Sequence, residues 1–363
     1  MKVALVHDYL NQYGGGERVL EVLMEMFPEA PVYTILHDEA KTGGRFAGRV
    51  KGASFLNFQL ARDYHRLFIP LMPLAAKSLA LGDRYDLIIS DTAGFAKGIS
   101  YDSSATKHLS YIHTPLRYAW ETKDYFNNRI FTSVFAPAFK YLKNWDRAAA
   151  MRPDCLLANS EFIARKVKDY YGRDARVVYP PVDKKIFYRE RAAAKDRDYY
   201  LAAGRLLHYK RFDLIVDAFA GSGLPLKIVG AGPEKNRLVA RAAELKASNI
   251  TFLPFVSDDE LRRLYCGAKA LVFPQVEDFG LVAAEAQACG TPIIAYAAGG
   301  AKEIVSDGMT GVLFYSQTTE HLVAAVREFE KRKFNRQKIA AAGKRFAKEE
   351  FKKSVIDAIA SIV

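Results

Sequence analysis

The sequence predicts an α/β protein of two domains, the second of which contains a doubly wound parallel sheet. The first observation is a recurring order of short apolar run, glycine-containing loop and helically spaced stretch, which is typical of parallel βα units. The second is the length of 363 residues, which favours two domains over one. The third is that hydrophobic residues make up 50% of the chain, which provides ample core.

The chain opens with a buried-type strand at Val3–Val6, followed by the loop Gly14-Gly15-Gly16 and a helix from about Glu17 to Phe27. Strand, glycine loop and helix are typical of a nucleotide-binding α/β unit. The GxGxxG spacing of the dinucleotide fingerprint is missing. Three adjacent glycines indicate that a ligand approaches the backbone closely, and a flexible turn is the alternative.

Further strands are predicted at Leu87–Ser90, Leu109–Ile112 and Leu156–Ala158. His113 follows the second of them, and Arg117 lies just beyond. Open parallel sheets place ligands at the carboxyl ends of their strands, so we regard His113 as a candidate functional residue. A packing or capping histidine is the alternative.

Residues 45–82 interleave basic side chains with apolar and aromatic ones. Such a composition suits an anionic membrane interface. The alternative is a pair of helices packed on their own domain with a solvated basic face. RNA binding is a further alternative, although no RNP, KH or zinc-knuckle pattern supports it.

A linker is predicted from Pro180–Asp183 through the charged, alanine-rich run to Arg197. Beyond it strands and helices alternate regularly, which predicts a second parallel sheet. The predicted strands are Tyr199–Ala203, Leu226–Val229, Ile250–Leu253, Ala270–Phe273, Pro292–Tyr296 and Val312–Phe314. The last three helices are predicted at Thr319–Lys331, about Arg336–Glu349 and Lys352–Ile362.

Two basic residues, Arg205 and Lys210, flank the loop after the first strand of the second domain. Two fixed cations at the carboxyl end of a strand can hold a diphosphate and stabilise it as it leaves. Gly230 belongs to a second loop that allows close approach. Glycines and cations thus follow several strands of one sheet.

The stretch Phe273–Gly290 is predicted to be strand, loop and helix, with the helix starting near Phe279. Glu277 lies at the loop tip and Glu285 about five residues into the helix. The N-terminus of a helix holds anions such as phosphate. Glu277 lies at that end and Glu285 lies deeper, an arrangement that fits a sugar nucleotide. The alternative is that both glutamates are ordinary solvated helix residues.

The formal net charge of +12 indicates an anionic partner, such as nucleic acid, an acidic membrane or a phosphorylated substrate. Cys155, Cys266 and Cys289 are scattered without a CxxC pair or a histidine cluster, which favours a reducing compartment and predicts neither disulfides nor a zinc site. We expect neither a signal peptide nor a transmembrane helix, and therefore a cytoplasmic protein.

Four motifs resemble those of the family 4 glycosyltransferases of the GT-B fold: GGGER (14–18), GRLLHYKR (204–211), VGAGPE (229–234) and EDFGLVAAE (277–285). The resemblance covers essentially the whole chain in the right order. HTPLRYAW (113–120) is similar to a bacterial branch that includes WbaZ-type mannosyltransferases of surface-polysaccharide assembly.

This resemblance implies two Rossmann-like domains that face each other across a cleft. Residues 1–182 would bind the acceptor, residues 183–349 would bind the nucleotide sugar, and residues 350–363 would cross back onto the N-terminal domain. It also implies retention of anomeric configuration, no metal and no cofactor.

The resemblance implies catalytic roles for His113, Arg205, Lys210 and Glu277, with Arg117 and His113 on the acceptor. The implied donor-binding residues are Gly15, Gly16, Gly204, Arg205, Lys210, Gly230, Val256, Glu277, Phe279, Gly280, Leu281 and Glu285. Among these, Arg205 and Lys210 would hold the diphosphate, Glu277 the transferred sugar and Glu285 the ribose hydroxyls.

The expected activity is transfer of a hexose, with mannose from GDP-mannose favoured by the branch resemblance. The expected acceptor is a glycan or a polyprenyl-diphosphate-linked glycan at the inner face of a membrane, with no nucleic acid partner. Alternatives are a UDP-sugar donor such as UDP-glucose or UDP-GlcNAc, an epimerase or phosphorylase of the same fold, and a non-enzymatic nucleotide-sugar-binding protein.

Overall fold

The structure is a computed structural model that describes residues 1–122, 135–190 and 197–363. The end of the predicted linker, residues 191–196, lies outside the described residues. The chain divides into an N-terminal unit, Met1–Pro181 with Phe351–Val363, and a C-terminal unit, Val182–Glu350. Each unit contains one parallel sheet flanked by helices, so the predicted α/β class with two Rossmann-like domains is confirmed.

The N-terminal unit contains a seven-stranded sheet in the order β3-β2-β1-β4-β5-β6-β7. Its strands are β1 (Val3–Leu10), β2 (Val32–His37), β3 (Val50–Ala53), β4 (Leu87–Thr92), β5 (Lys107–Ile112), β6 (Cys155–Ala158) and β7 (Arg176–Val177). Neighbouring strands pair in parallel throughout. The chain reverses its direction of travel across the sheet between β1 and β4, which makes their boundary the topological switch point.

Helices connect these strands on both faces of the sheet. They are α1 (Gly15–Met26), α2 (Gln59–Asp63), α3 (Met72–Lys77), α4 (Arg117–Trp120), α5 (Ala136–Ala150) and α6 (Glu161–Tyr171), with 3-10 helices at His65–Leu71 and Ala96–Gly98. Two separate apolar cores contain Leu5 and Val19 in one case and Ala4 and Ile88 in the other. Since Ala4 and Leu5 are neighbours on one strand, the cores cover opposite faces of the sheet.

Local sequence explains where α6 begins and ends. The Ser160 hydroxyl accepts a hydrogen bond from the Ile163 N–H, which satisfies a donor in the first turn. Gly172 ends the helix in the left-handed region at φ 73°, a conformation that costs glycine little.

The C-terminal unit contains a six-stranded sheet in the order β10-β9-β8-β11-β12-β13. Its strands are β8 (Tyr199–Ala203), β9 (Leu226–Val229), β10 (Ile250–Leu253), β11 (Ala268–Phe273), β12 (Ile293–Tyr296) and β13 (Gly311–Phe314). This sheet is also parallel, and its switch point lies between β8 and β11.

The helices of the second half are α7 (Phe212–Ala220), α8 (Lys235–Glu244), α9 (Asp258–Gly267), α10 (Leu281–Ala288), α11 (Ala301–Ile304), α12 (Thr319–Lys331), α13 (Arg336–Ala342) and α14 (Lys348–Ala360), with 3-10 helices at His208–Lys210 and Gly343–Phe346. The described start of the predicted linker is packed on this unit, because the Val182 N–H donates to the Phe346 carbonyl at 2.7 Å. The helix predicted at 336–349 is divided into α13 and a 3-10 turn.

The final helix packs on the N-terminal unit, as predicted. Four of its apolar side chains, Phe351, Val355, Ala358 and Ile359, belong to the core that also contains Leu5. Across the described parts of the chain, no helix combines the length and apolar character needed to cross a membrane.

Candidate active site

Two histidines share one buried carboxylate in the N-terminal unit. His7 Nδ1 lies 2.9 Å from one oxygen of Asp91, and His113 Nε2 lies 2.6 Å from the other. His7 on β1 and Asp91 on β4 are register partners, and His113 directly follows β5. The cluster therefore straddles the switch point of the sheet, the place where open α/β sheets bind ligands.

The glycine loop closes against this cluster. A Cβ on Gly16 would lie 3.4 Å from His113 Nε2 and 3.6 Å from His7 Cε1, which is ordinary van der Waals distance, so the start of α1 lies directly against both rings. Glu17, the next residue, places its carboxylate 3.9 Å from His7 Nε2. Gly15 is the exposed first residue of α1. The structure thus brings the predicted Gly15, Gly16 and His113 together.

The shared carboxylate sets the charges of the cluster. Burial opposes the charged form of His7, but hydrogen bonds and charge attraction from Asp91 and Glu17 outweigh it and raise the pKa of His7 to about 10. Burial alone would raise the pKa of Asp91, yet the two histidines hold that pKa below its ordinary value. At neutral pH the site therefore contains an imidazolium at His7 and a carboxylate at Asp91.

A second buried ion pair supports the segment that follows His113. The Lys97 ammonium lies 2.6 Å from the Asp146 carboxylate, and both side chains are fully buried. Asp146 also accepts hydrogen bonds from the indole N–H of Trp120 at 2.8 Å and the Tyr171 hydroxyl at 2.7 Å. This network fixes the end of α4 against α5 and α6.

The predicted acceptor residue Arg117 lies at the start of α4 and is partly exposed. Its Nε lies 3.4 Å from the Thr114 hydroxyl and 3.9 Å from the Glu121 carboxylate. Arg117 follows His113 by four residues, and these two contacts keep its side chain on the segment that follows His113.

In the C-terminal unit, the loops after β8 and β9 are joined through their backbones. The Gly204 N–H donates to the Val229 carbonyl at 3.0 Å, and the Leu206 N–H donates to the Ala231 carbonyl at 2.8 Å. A Cβ on Gly230, at φ +146°, would lie 1.9 Å from the Gly204 carbonyl oxygen, so only glycine fits. Between these anchored residues, Arg205 is exposed at the carboxyl end of β8.

An ion pair crosses the switch point of this second sheet. The Lys210 ammonium lies 2.7 Å from the Glu277 carboxylate, and both side chains are more than four-fifths buried. Lys210 ends the loop after β8, and Glu277 belongs to the loop after β11. Gly299 presses against the Glu277 loop, because its Cβ would lie 2.3 Å from the Glu277 carbonyl oxygen. The predicted catalytic pair is thus held together.

Helix α10 begins directly behind this ion pair, two residues later than the predicted start at Phe279. Gly280 precedes it at φ +105° without a side-chain cap, and Leu281 is its first residue. The Phe279 ring is buried edge-on against Phe346, with ring centroids 5.3 Å apart, so its backbone rather than its ring can face a ligand. The N-terminus of a helix attracts anions.

The two remaining predicted donor residues differ in their surroundings. Glu285 is buried in the second turn of α10, where it accepts a hydrogen bond from the Tyr265 hydroxyl at 3.2 Å. This partner fixes the carboxylate behind the helix N-terminus. Val256 is half-buried in the loop between β10 and α9.

Sequence reasoning did not identify His7 and Asp91 as site residues. The available signal was that ionisable side chains interrupt two apolar strands, His7 and Asp8 in VALVHDYL and Asp91 in LIISDT. Buried ionisable groups require partners, so the ionisable side chains of these two strands could be expected to pair with each other. Among the described residues, no cluster of three or more His, Cys, Asp or Glu side chains is arranged to hold a metal ion.

Comparison with known protein families gives two matches that divide the chain. Residues 13–186 match the model described as Glycosyltransferase Family 4, and residues 183–346 match the model described as Glycosyl transferases group 1. The chain therefore consists of a family 4 glycosyltransferase domain followed by a group 1 glycosyltransferase domain, which confirms that part of the predicted resemblance.

Among curated proteins, the chain is 35% identical over 201 residues to the D-inositol 3-phosphate glycosyltransferase of Geodermatophilus obscurus, which covers 48% of this chain and 45% of that protein. It is 38% identical over 179 residues to the protein of the same name from Mycobacterium sp. (strain KMS), covering 44% and 41%. The chain thus spans less than half the length of these curated relatives.

Solved structures share the fold over the full chain. Anabaena HepE in complex with UDP has a TM-score of 0.73 at 19% identity and covers 100% of both chains. Sucrose-phosphate synthase from Thermosynechococcus elongatus has a TM-score of 0.73 at 17% identity and covers 99% of both. These likenesses confirm the predicted fold class.

Proposed function

We propose that the protein is a retaining glycosyltransferase that transfers a hexose from a nucleotide-sugar donor to a hydroxyl group of an acceptor. The observation that carries this proposal is the Lys210–Glu277 ion pair at the switch point of the C-terminal sheet. It places a cation and a carboxylate beside the N-terminus of α10, which suits a diphosphate joined to a sugar. The two glycosyltransferase family models support the same activity.

The donor residues divide the nucleotide sugar between them. Arg205 and Lys210 bind the diphosphate, and the backbone at Phe279, Gly280 and Leu281 contributes amides and the helix dipole. Gly204 and Gly230 let the two loops that carry the proposed diphosphate site approach each other closely. Glu277 accepts hydrogen bonds from the transferred sugar, while Glu285 binds the ribose hydroxyls and Val256 lies near the base.

The chemical step needs no protein nucleophile in this proposal. The bond from the sugar C1 to the phosphate oxygen breaks, and its electron pair stays on that oxygen, where Arg205 and Lys210 stabilise the charge. The acceptor oxygen bonds to C1 from the same face, and its proton passes to the departing phosphate oxygen. No cofactor or metal ion takes part.

We assign acceptor binding to the N-terminal unit. His113 and Arg117 contact the acceptor, and the glycine loop at Gly15 and Gly16 provides backbone close to the imidazole. Asp91 acts as a positioning residue because its carboxylate holds the His113 ring at 2.6 Å. This assignment gives the buried histidine cluster a role in orienting the attacking hydroxyl.

The favoured donor is GDP-mannose, on the strength of the HTPLRYAW motif at residues 113–120. A UDP-sugar is the second candidate, and the fold likeness to a UDP complex of HepE supports it. The proposed acceptor is a glycan or polyprenyl-diphosphate-linked glycan of surface-polysaccharide assembly, at the cytoplasmic face of a membrane.

Thermal shift and donor hydrolysis across GDP-mannose, GDP-fucose, UDP-glucose, UDP-GlcNAc and UDP-galactose, without added metal, test the donor. Stabilisation by GDP and GDP-mannose alone supports the favoured donor. Stabilisation by UDP-sugars replaces it with the second candidate. No response to any nucleotide overturns the proposed function.

The variant Arg205→Ala tests the diphosphate site. Loss of one charged donor to the leaving group should lower turnover by more than about a hundredfold. Arg327→Ala, on the exposed side of α12, removes an arginine from the same unit and should leave turnover unchanged. Near-normal turnover of Arg205→Ala would contradict the role of that residue.

A nucleotide-sugar-binding protein without activity is distinguished by product analysis. Such a protein would show the thermal shift, but it would release neither nucleoside diphosphate nor a glycosylated acceptor. NMR of the product also tests retention, because an inverted anomeric centre would exclude attack from the leaving-group face.

A further inference from the structure

A dense group of large apolar side chains is exposed on the N-terminal unit. We call Phe55, Phe58, Leu60, Tyr64, Leu67, Leu71 and Leu74 the apolar surface; these side chains are between 42% and 74% exposed. They account for seven of the 20 large hydrophobic residues exposed in the described chain, within a stretch of 20 residues. Single exposed apolar residues are ordinary, but exposed apolar residues this closely spaced along the chain indicate an interaction site.

The segment that carries the apolar surface is firmly docked on its own sheet. Between its exposed residues, Ala61, Ile69 and Met72 are buried in the core that contains Ala4. The segment consists of α2, the 3-10 helix at His65–Leu71 and α3, and each of these elements also carries at least one exposed leucine. The segment therefore has apolar residues on both its buried and its exposed sides, which packing on its own domain does not require.

Polar contacts hold this segment against the carboxyl ends of the first two strands. The Asn11 amide donates to the Arg62 carbonyl at 2.9 Å, and Arg62 donates to the His37 carbonyl at 3.3 Å. The Tyr9 and His65 rings lie 5.2 Å apart. The apolar side chains are therefore exposed on a segment that these contacts fix to the sheet.

Charge indicates what covers the apolar surface. Residues 45–82 contain six Arg and Lys residues and a single acidic residue, Asp63, which gives a formal charge of +5. Asp63 is itself paired with Lys41. A symmetric contact between two copies would bring two such surfaces together and is disfavoured by repulsion. Four of the seven apolar residues are leucines, which suit lipid better than nucleic acid bases.

We propose that the apolar surface inserts into the interfacial region of an anionic lipid bilayer, with the surrounding basic residues bound to the headgroups. Exposed Arg66 and Lys77 belong to that basic set. Apolar insertion and headgroup attraction together give stable peripheral binding where either alone is weak.

This docking deepens the proposed function and rests on it for the nature of the acceptor. Asn11, which bonds the apolar segment, lies between the end of β1 and the glycine loop at Gly15. Membrane docking would therefore bring the acceptor residues of the N-terminal unit near the lipid surface. The acceptor that fits this placement is a lipid-linked glycan.

Vesicle flotation tests the surface directly. The full chain should float with vesicles of phosphatidylcholine and phosphatidylglycerol and remain unbound with phosphatidylcholine alone, and added salt should weaken binding. The double variant Leu67→Glu and Leu71→Glu should lower the bound fraction by at least about tenfold. Failure of the wild-type chain to float, or undiminished flotation of this variant, would overturn the proposal.

The matched control is the double variant Met309→Glu and Tyr315→Glu. It adds the same two charges at exposed apolar residues of the C-terminal unit and should float like wild type. Equal losses in both double variants would show that charge alone decides binding and would overturn apolar insertion. A concentration-dependent dimer that the Leu67 and Leu71 variant abolishes, without vesicle binding, would assign the surface to a second copy instead.

The thermal shift with nucleotide separates this proposal from the proposed function. The Leu67 and Leu71 variant should keep the wild-type melting temperature and nucleotide response, because both side chains lie outside the cores. Vesicle binding without any nucleotide response would support the membrane surface while refuting the glycosyltransferase.

Discussion

Replacing His7 with glutamine tests the buried histidine cluster through the pH dependence of stability. Burial opposes a charge at His7, yet Asp91 and Glu17 raise its pKa from 6.5 to about 10. Because the pKa is higher in the folded state, the stabilisation is fully present below about pH 6.5 and is lost as the pH rises through about 10. Asp91, whose pKa is lowered, stays ionised throughout this range.

The two pKa values fix the size of the effect. With pKa values of 6.5 unfolded and about 10 folded, protonated His7 contributes roughly 4 kcal/mol at pH 7 and roughly 1 kcal/mol at pH 9. Wild type should therefore lose roughly 3 kcal/mol more stability than His7→Gln between pH 7 and pH 9. Asp91 is ionised in wild type over this range, so the loss of stability between pH 7 and pH 9 reports the deprotonation of His7.

Denaturant unfolding followed by tryptophan fluorescence measures this difference in the N-terminal unit, which contains His7. The chain contains two tryptophans, Trp120 and Trp145, and both belong to the N-terminal unit. Glutamine can still donate to Asp91 but cannot carry the charge. Parallel pH profiles for the two proteins would refute the reasoning, because they would mean that His7 is not protonated in the fold.

Two further substitutions test packing in each unit. Lys97→Met leaves the buried carboxylate of Asp146 without its cation and should lower the free energy of unfolding by about 3–5 kcal/mol, measured by tryptophan fluorescence. The control Lys168→Met breaks an exposed ion pair and should lower it by under about 1 kcal/mol. Equal losses would contradict the burial of the Lys97–Asp146 pair. Gly230→Ala places a Cβ 1.9 Å from a carbonyl oxygen and should lower the melting temperature more than Gly172→Ala, which meets nothing within 4 Å, and a smaller loss would count against the close approach.

Regular alternation made the C-terminal sheet predictable. Strands such as Tyr199–Ala203 and Ile250–Leu253 were predicted with the bounds that the structure has, because each is short, apolar and bordered by a loop and an amphipathic helix. In the N-terminal unit β2, β3 and β7 were not predicted. β3 alternates between half-buried and exposed residues and contains a glycine, and β7 has only two residues, so neither carries a strong pattern.

Position in the chain revealed the loop residues of the site but not its buried pair. His113, Lys210 and Glu277 follow strands, and that alone placed them at a ligand-binding edge. His7 and Asp91 lie inside strands and are 84 residues apart, so only the parallel register of β1 and β4 brings them together. Sequence patterns report which face a residue takes, whereas long-range register decides its partner.

The two sheets carry charged pairs at equivalent places, but the two pairs suit different chemistry. Each has its charged pair at the switch point, His7–Asp91 in the first sheet and Lys210–Glu277 in the second. The first pair is almost completely buried, so exchanging a partner for a ligand would leave a desolvated charge and is costly. The second pair is somewhat less buried, with side chains 15% and 18% exposed, so its lysine can turn to an incoming phosphate at less cost than a partner in the first pair. A fixed pair suits the orientation of His113, and an exchangeable pair suits the capture and release of a nucleotide.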